Sequence, residues 1–268
     1  LRDLSGPEHR LGITLNFTWP VCHDPSHPGD VEAVRRIDGA HNRVFLDPIF
    51  RGQYPADVLQ DMEEAGLGEA AQDGDMELIS APIDFLGVNF YNGIGVAAPD
   101  PQDHSPLEYD TGRGHTLRSP FVGSERVRIV SRGLRVTQMG WEVHAPDLRD
   151  LLVRLHREYT GPAKIPLLIT ENGAARADEV GPEGSIDDPE RVSYLQQHLA
   201  AVLEAIEQGA RVEGYFVWSL LDNFEWAWGY EKRFGIVHVD YETQVRTPKA
   251  SARYYSRVIT SGSLSPQE

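Results

Sequence analysis

The chain has 268 residues. That length permits one (β/α)₈ barrel of roughly 250 residues, one other large domain or two small ones. The formal net charge of −16 argues against nucleic acid or an anionic membrane surface as the main partner, because both attract basic patches. No apolar run approaches the roughly 20 residues of a membrane span, so no membrane partner is expected. The single cysteine, Cys22, excludes an intrachain disulfide framework, reads as a half-buried free thiol and favours a reducing, cytoplasmic compartment.

The first ten residues contain neither an initiator Met nor the apolar region of a signal peptide. They read as the end of a helix and a loop entering a strand at Leu11, with the natural N-terminus and any targeting signal expected upstream. Gly12–Phe17 is the first apolar, β-rich run, followed by helical patterns over Asp30–Phe45 and Ala56–Ala65. A second run, Phe85–Tyr91, leads into Ala97–Pro120, rich in Pro, Asp, Gly and Ser and expected to be a long loop. Pro146–Tyr159 carries Leu148, Leu151, Leu152 and Leu155 at the i, i+3, i+4, i+7 spacing of one helix face. Leu167–Thr170 is the third run and Ala174–Pro189 a second loop, of a kind that often lines binding sites. Pro189–Gln208 is the longest helical pattern, with Pro suited to its first turn and Gly209 to its end. Tyr215–Trp218 is the fourth run, and a helix over Pro248–Val258 closes the chain.

The four runs do not alternate cleanly with polar residues, as expected of strands buried on both faces of a parallel sheet. Strands alternating with helices imply βα units and an α/β fold. No linker of domain-boundary type interrupts residues 1–268, so one domain is expected. Four βα units are half of an eight-stranded barrel, and an open four-stranded parallel sheet has two edges that need covering.

Chemistry in such barrels sits where strands end. Here the ends carry Asn89 and Tyr91, Glu171 followed by Asn-Gly, and Trp218. On its own Glu171 reads equally well as a solvated residue at a strand-to-loop turn. The segment Tyr215–Gly235 adds weight: three Trp and five other aromatics crowd into 21 residues beside Asp222, Asn223 and Glu225. Aromatic faces with carboxylates able to accept paired hydroxyls suit a carbohydrate. The bland alternative makes Phe216, Phe224 and Tyr230 an aromatic core cluster, but leaves Glu225 buried without a purpose.

GITLN at 12–16, DFLGVNFY at 84–91, MGWEV at 139–143, ITENG at 169–173 and the long run from WSLLDNFEWAWGYEKRFG at 218–235 to Tyr255 together resemble glycoside hydrolase family 1, the β-glucosidase family, from end to end. The resemblance implies a (β/α)₈ barrel, with this chain corresponding to strands five to eight. It implies a retaining β-glycosidase acting on terminal β-D-glucosides through a covalent glycosyl-enzyme on Glu171. Tyr91 would donate a hydrogen bond to that carboxylate, and Asn89 would line the pocket. Trp218 would form the sugar platform, Glu225 would accept two hydroxyls and the Trp226 indole would bond a third. Phe234 would pack at the wall and Trp141 would flank the aglycone. Members acting on phosphorylated sugars lack the carboxylate at the position of Glu225, which would repel a phosphate dianion. A non-phosphorylated sugar is therefore implied, glucose first, with galactose or fucose open. One departure lies at His144-Ala-Pro-Asp147, where the family usually has a Pro-x-Gly-Leu turn.

The family's acid/base is the Glu of an Asn-Glu-Pro motif, and no Glu in this chain precedes Pro. Retention needs two carboxyl groups. The resemblance thus implies that an N-terminal half of the same barrel, holding the acid/base, is a partner, and that this chain alone is inactive. The alternative is a non-catalytic sugar-binding or scaffold half-barrel. The ten His show no metal-binding helical spacing, and His144, His156, His198 and His238 read as surface or packing residues. No Gly-rich phosphate loop follows a strand, so neither a metal nor a cofactor is expected.

Overall fold

Four parallel strands define the architecture of the computed structural model, which describes residues 2–4, 6, 8–102 and 118–265. They are β1 (Gly12–Cys22), β2 (Phe85–Ala97), β4 (Leu167–Asn172) and β5 (Val212–Val217), in that spatial order. β3 (Arg128–Val130) lies between β2 and β4 in sequence and adds antiparallel to the far end of β2. Late in the chain β6 (Val237–Val239) and β7 (Arg246–Pro248) form a separate antiparallel pair.

Helices fill the intervals. α1 (Pro28–Asp38), a π-helical turn over Gly39–Arg43 and α2 (Val44–Arg51) follow β1, so the helical path runs beyond the expected end at Phe45 and stops at Gly52, whose φ of 66° is left-handed. α3 (Ala56–Asp61), α4 (Leu67–Ala70) and α5 (Asp75–Ile79) are short, and the first ends earlier than Ala65. α6 (Ala145–Leu155) passes into a π turn at His156–Thr160, α7 (Pro189–Glu207) starts at its proline, and α8 (Ala250–Ser261) runs past Val258.

The periodicities explain the packing. Alternate residues of a strand face opposite sides. On β2, Leu86, Val88 and Phe90 turn towards the helices and are wholly buried, packed with Leu148, Leu151, Leu152 and Leu155 of α6, Leu167 and Ile169 of β4, and Val202 and Ala205 of α7. The leucine stripe read from the sequence is therefore the core face of α6. Gly87, Asn89 and Tyr91 hold the opposite parity.

Residues 103–117 of the expected Ala97–Pro120 loop lie outside the described residues. The Ala174–Pro189 loop is held by bridges from Arg176 to Arg233 and from Val180 to Ile186. Phe216, Phe224 and Tyr230 do not form a core cluster: each is more than half exposed, because β5 is an outer strand and the segment after it runs along the surface.

β1 and β5 are the two outer strands, as the edge argument expected, and among the described residues neither has a partner on its outer side. Ile13 and Phe216, one on each, are 39% and 59% exposed. Unpaired edges with apolar side chains recruit other strands. The isolated chain is expected to self-associate as its concentration rises. Sedimentation velocity showing a monomer throughout would contradict the edge argument.

Candidate active site

Glu171 owes its position to one extra residue in β4. Val88 pairs with Ile169, but the next residue of β2, Asn89, pairs with Glu171, so Thr170 and Glu171 together oppose Asn89. β5 shows the same insertion, pairing Tyr215 with Ile169 and Val217 with Asn172. A bulge re-aims the residue that follows it. Without it, Glu171 would share the helix-facing parity of Ile169. With it, Glu171 joins Asn89 and Tyr91 on the other side.

Two side-chain bonds fix the register across the bulge. Tyr91 Oη donates to Glu171 Oε2, and Thr170 Oγ1 donates to Asn89 Oδ1 at 2.7 Å. Burial and then the Glu171 carboxylate push the Tyr91 phenol far above its ordinary range, so it stays protonated and remains a donor. Behind Glu171, Asn172 is fully buried. Its amide donates to Phe90 O (2.7 Å) and Tyr194 Oη (3.0 Å) and accepts from Tyr215 Oη at 2.6 Å. Gly173 lies so close to the next strand end that a Cβ would come within 1.8 Å of Trp218 O, which only glycine tolerates.

The segment after β5 brings up the remaining residues. Glu225 N bonds Gly229 O at 2.6 Å, closing a tight turn. Among the described residues no donor reaches the Glu225 carboxylate. Burial, and secondly the charge of Glu171, raise its pKa above the usual carboxylate range. Trp141 packs against both Tyr91 (ring centroids 5.4 Å) and Phe234 (6.0 Å), and Tyr91 meets Phe234 edge-on at 6.0 Å.

A cleft of about 930 Å³ is lined by all eight residues singled out from the sequence: Asn89, Tyr91, Trp141, Glu171, Trp218, Glu225, Trp226 and Phe234. Trp226 sits at its rim, 81% exposed. Asn223, noted beside Glu225 in the sequence, also lines it, as do Asn16, His41 and Phe121, which were not picked out. Asn16 had a signal, since it ends the GITLN run and pairs with Asn89. His41 lies on a π turn, where neither strand nor helix periodicity places a side chain.

A buried ionic cluster supports the cleft, and the sequence pattern did not reveal it. Asp222 accepts from Arg233 (2.6 Å), Lys249 (2.9 Å) and the backbone N–H of Gly235 (3.0 Å). Lys249 also reaches Asp178 at 2.5 Å, and Arg191 bonds Asp178 (2.8 Å) and Asp188. At the His144 departure, Arg132 bonds Glu142 (2.8 Å) and Asp147 (2.8 Å), while His144 Nδ1 contacts Asp147 at 2.8 Å. This network secures the segment carrying Trp141. Of the four histidines read as surface or packing residues, His198 is buried and stacked on Tyr194 at 3.8 Å. The described residues contain no cluster of His, Cys, Asp and Glu able to hold a metal.

The model of glycosyl hydrolase family 1 matches residues 2–263. The chain belongs to that family. Among relatives, it is 41% identical to a bifunctional beta-D-glucosidase/beta-D-fucosidase of Bifidobacterium breve over 97% of this chain and 53% of the relative. It is 37% identical to a 6-phospho-beta-galactosidase of Streptococcus equi subsp. zooepidemicus over 95% of this chain and 55% of the relative. Among solved structures, the psychrophilic beta-glucosidase of Micrococcus antarcticus superposes with a TM-score of 0.86 at 50% identity, over 97% of this chain and 54% of that one. This family 1 chain thus spans about half the length of the relatives it matches, and its four parallel βα strands are half of their (β/α)₈ barrel. No helix among the described residues is long and apolar enough to cross a membrane.

Two outcomes follow for this family 1 site. Lys249→Met leaves Asp178 and Asp222 facing one another without their shared cation; breaking a buried pair typically costs about 3–5 kcal/mol, readable as a lower urea midpoint. Glu171→Gln removes the second cause of the Glu225 shift and keeps the first. The Glu225 midpoint, followed by carboxyl carbon NMR, is expected to fall towards the usual range while staying above it.

Proposed function

We propose that this chain supplies the nucleophile and most of the sugar-binding wall of a retaining β-glycosidase acting on terminal, non-phosphorylated β-D-glucosides. The observation that carries the reading is the convergence of all eight sequence-selected residues on one cleft, with the Tyr91 hydroxyl bonded to the Glu171 carboxylate. Glu171 attacks the anomeric carbon while the bond to the aglycone oxygen breaks. That oxygen takes a proton from an acid, and water then hydrolyses the glycosyl ester, restoring Glu171 and the original anomeric configuration. Tyr91 holds the attacking oxygen and steadies its charge.

Glu225 and Trp226 face the other side of the bound sugar, with Trp218 beneath it. The Glu225 carboxylate, which no donor among the described residues reaches, has room for two hydroxyls and repels a phosphate dianion, so the glucosidase and fucosidase activities named for the Bifidobacterium relative suit this site better than the phosphogalactosidase activity named for the Streptococcus one. The acid/base comes, on this reading, from an N-terminal half of the barrel that docks on the free edges of β1 and β5. General acid catalysis contributes about 10²–10⁴-fold, so the chain without that half is expected to be inactive. The competing reading, a sugar-binding half-barrel without turnover, draws on the lack of an Asn-Glu-Pro motif in this chain.

Hydrolysis of an aryl β-D-glucoside by the chain paired with such a half tests the proposal. In that assembly Glu171→Gln is expected to lower turnover on the order of 10⁴-fold or more. Tyr91→Phe removes a hydrogen bond to a charged group and is expected to lower it about ten- to a hundredfold. Turnover insensitive to Glu171→Gln would remove it as nucleophile, and robust turnover by the isolated chain would remove the split assignment.

A further inference from the structure

Trp141 is carried by a short hairpin over residues 135–143. Thr137 N donates to Trp141 O at 2.9 Å, Val143 N to Arg135 O at 2.8 Å, and Val136 bridges Glu142. The base of the hairpin is held by Arg132, which bonds Glu142 at 2.8 Å. Its other side rests on two residues of the loop after β4: Gln138 N donates to Ala175 O at 3.0 Å, and Arg176 Nη1 to Val136 O at 3.1 Å. The backbone of Arg176 serves a different segment, its N–H donating at 3.2 Å to Arg233 O, directly before Phe234. One residue thus joins the segment carrying Trp141 to the segment carrying Phe234, although it does not line the cleft itself.

Those two rings bracket Tyr91, Trp141 at 5.4 Å and Phe234 edge-on at 6.0 Å. The Tyr91 backbone is fixed separately, its carbonyl accepting Tyr194 Oη at 3.2 Å. The direction of the Tyr91 hydroxyl, and with it the bond to Glu171, therefore depends on the flanking rings. Arg176 holds its place at a cost. Its side chain is 13% exposed, and the buried Nε has no acceptor among the described residues. Its anionic partner there is Glu190, in the first turn of α7, at 2.7 Å. A buried guanidinium with a missing acceptor is costly, and an apolar side chain of similar length would fill the same space without that cost. What the apolar chain would lose is the bond to Val136 O. Arg135 also reaches Glu190, at 3.1 Å, but both side chains are exposed and such a pair contributes little.

We infer that Arg176 is a positioning residue of the site: it locks the Trp141 hairpin to the Phe234 segment and, through those two rings, aims the Tyr91 hydroxyl at Glu171. Its effect on turnover rests on the reading of Glu171 as the nucleophile; its effect on Trp141 does not. Glu190 acts one step further out, holding the guanidinium over Val136 O from the start of α7.

The full chain labelled with 5-fluorotryptophan gives five fluorine signals, one for each Trp, and Trp141→Phe identifies that of Trp141. Arg176→Met is expected to split or broaden the Trp141 signal, while that of Trp19, packed on the main core, keeps its position and width. Glu190→Gln changes an exposed side chain; it is expected to act in the same way to a smaller extent, and serves if Arg176→Met does not fold. Arg176→Lys, which keeps a cation and a donor, is expected to recover part of the original signal. A Trp141 signal indifferent to both Arg176→Met and Glu190→Gln overturns the inference, as does a change that reaches Trp19 equally, the mark of general loosening. In the assembly with an N-terminal half, Arg176→Met is expected to lower kcat about ten- to a hundredfold, as a remote misplacement can, with KM changed less than about threefold. Unchanged kcat in an assembly that Glu171→Gln inactivates also overturns it. If turnover ignores Glu171→Gln while the Trp141 signal responds, the lock stands and the nucleophile assignment fails.

Discussion

The side-chain amide of Asn172 is the junction on which the strand ends depend. Its three bonds join β2, α7 and β5, and the backbone carbonyl of the same residue accepts Trp218 N at 2.9 Å. A buried amide satisfied on both ends is stable where a partly satisfied one is costly. The junction also explains the bulge. Only with an extra residue in β4 does Asn172 face the helices, where Tyr194 and Tyr215 wait for it, and the same insertion turns Glu171 to the opposite side. One irregularity therefore sets both the buried lock and the carboxylate that faces the cleft, and Gly173 lets the next strand end approach closely enough for the lock to close.

The second constraint is electrostatic. Asp178, Asp188 and Asp222 face Arg191, Lys249 and Arg233, three charges of each sign, and Arg191 and Lys249 are essentially inaccessible to water. Buried ion pairs are a poor source of net stability, because desolvation offsets their attraction. Their effect is geometric: every carboxylate oxygen needs a donor in one place. The cluster links the loop after Glu171 to the segment carrying Glu225 and to the start of α8, so the two carboxylates of the cleft are held relative to each other by charges neither of them touches. The Ala174–Pro189 loop is thereby anchored through Asp178 and Asp188.

Much of this was legible in the sequence. The four strands, the long helices and the leucine stripe of α6 follow from periodicity; Asn89, Tyr91, Glu171 and Trp218 follow from polar and aromatic side chains at strand ends, Glu225 and Trp226 from the aromatic-rich segment after the fourth run, and Trp141 and Phe234 only from the family resemblance. Boundaries shifted where periodicity carries no information. β1 runs on to Cys22 and β2 to Ala97 because they continue to pair with each other as far as Cys22 and Val96, and β3 then pairs with Ala97. The strands β3, β6 and β7, each three residues long, are shorter than any repeat that could announce them. Phe216 misled because an aromatic in an apolar run reads as core, whereas its strand lies at the edge of the sheet. The ionic cluster was illegible for a different reason: Asp178, Asp188, Asp222 and Lys249 are scattered over 72 residues and converge only after folding.

The open sheet is the remaining physical problem. Parallel strands are normally covered on both faces, and here the helices cover one face while the other carries Gly87, Asn89, Tyr91 and Glu171. Two edges and one polar face left bare is a combination that a closed barrel removes at once, since closure pairs both edges and encloses the face. The superposition on the Micrococcus enzyme at a TM-score of 0.86 means that the four strands keep the arrangement they have within such a closed barrel. The helix-side core, the Asn172 junction and the ionic cluster, which fix that arrangement, all lie within this chain. Among the described residues the outer edges of β1 and β5 remain without strand partners, and these are the edges that closure of the sheet would pair.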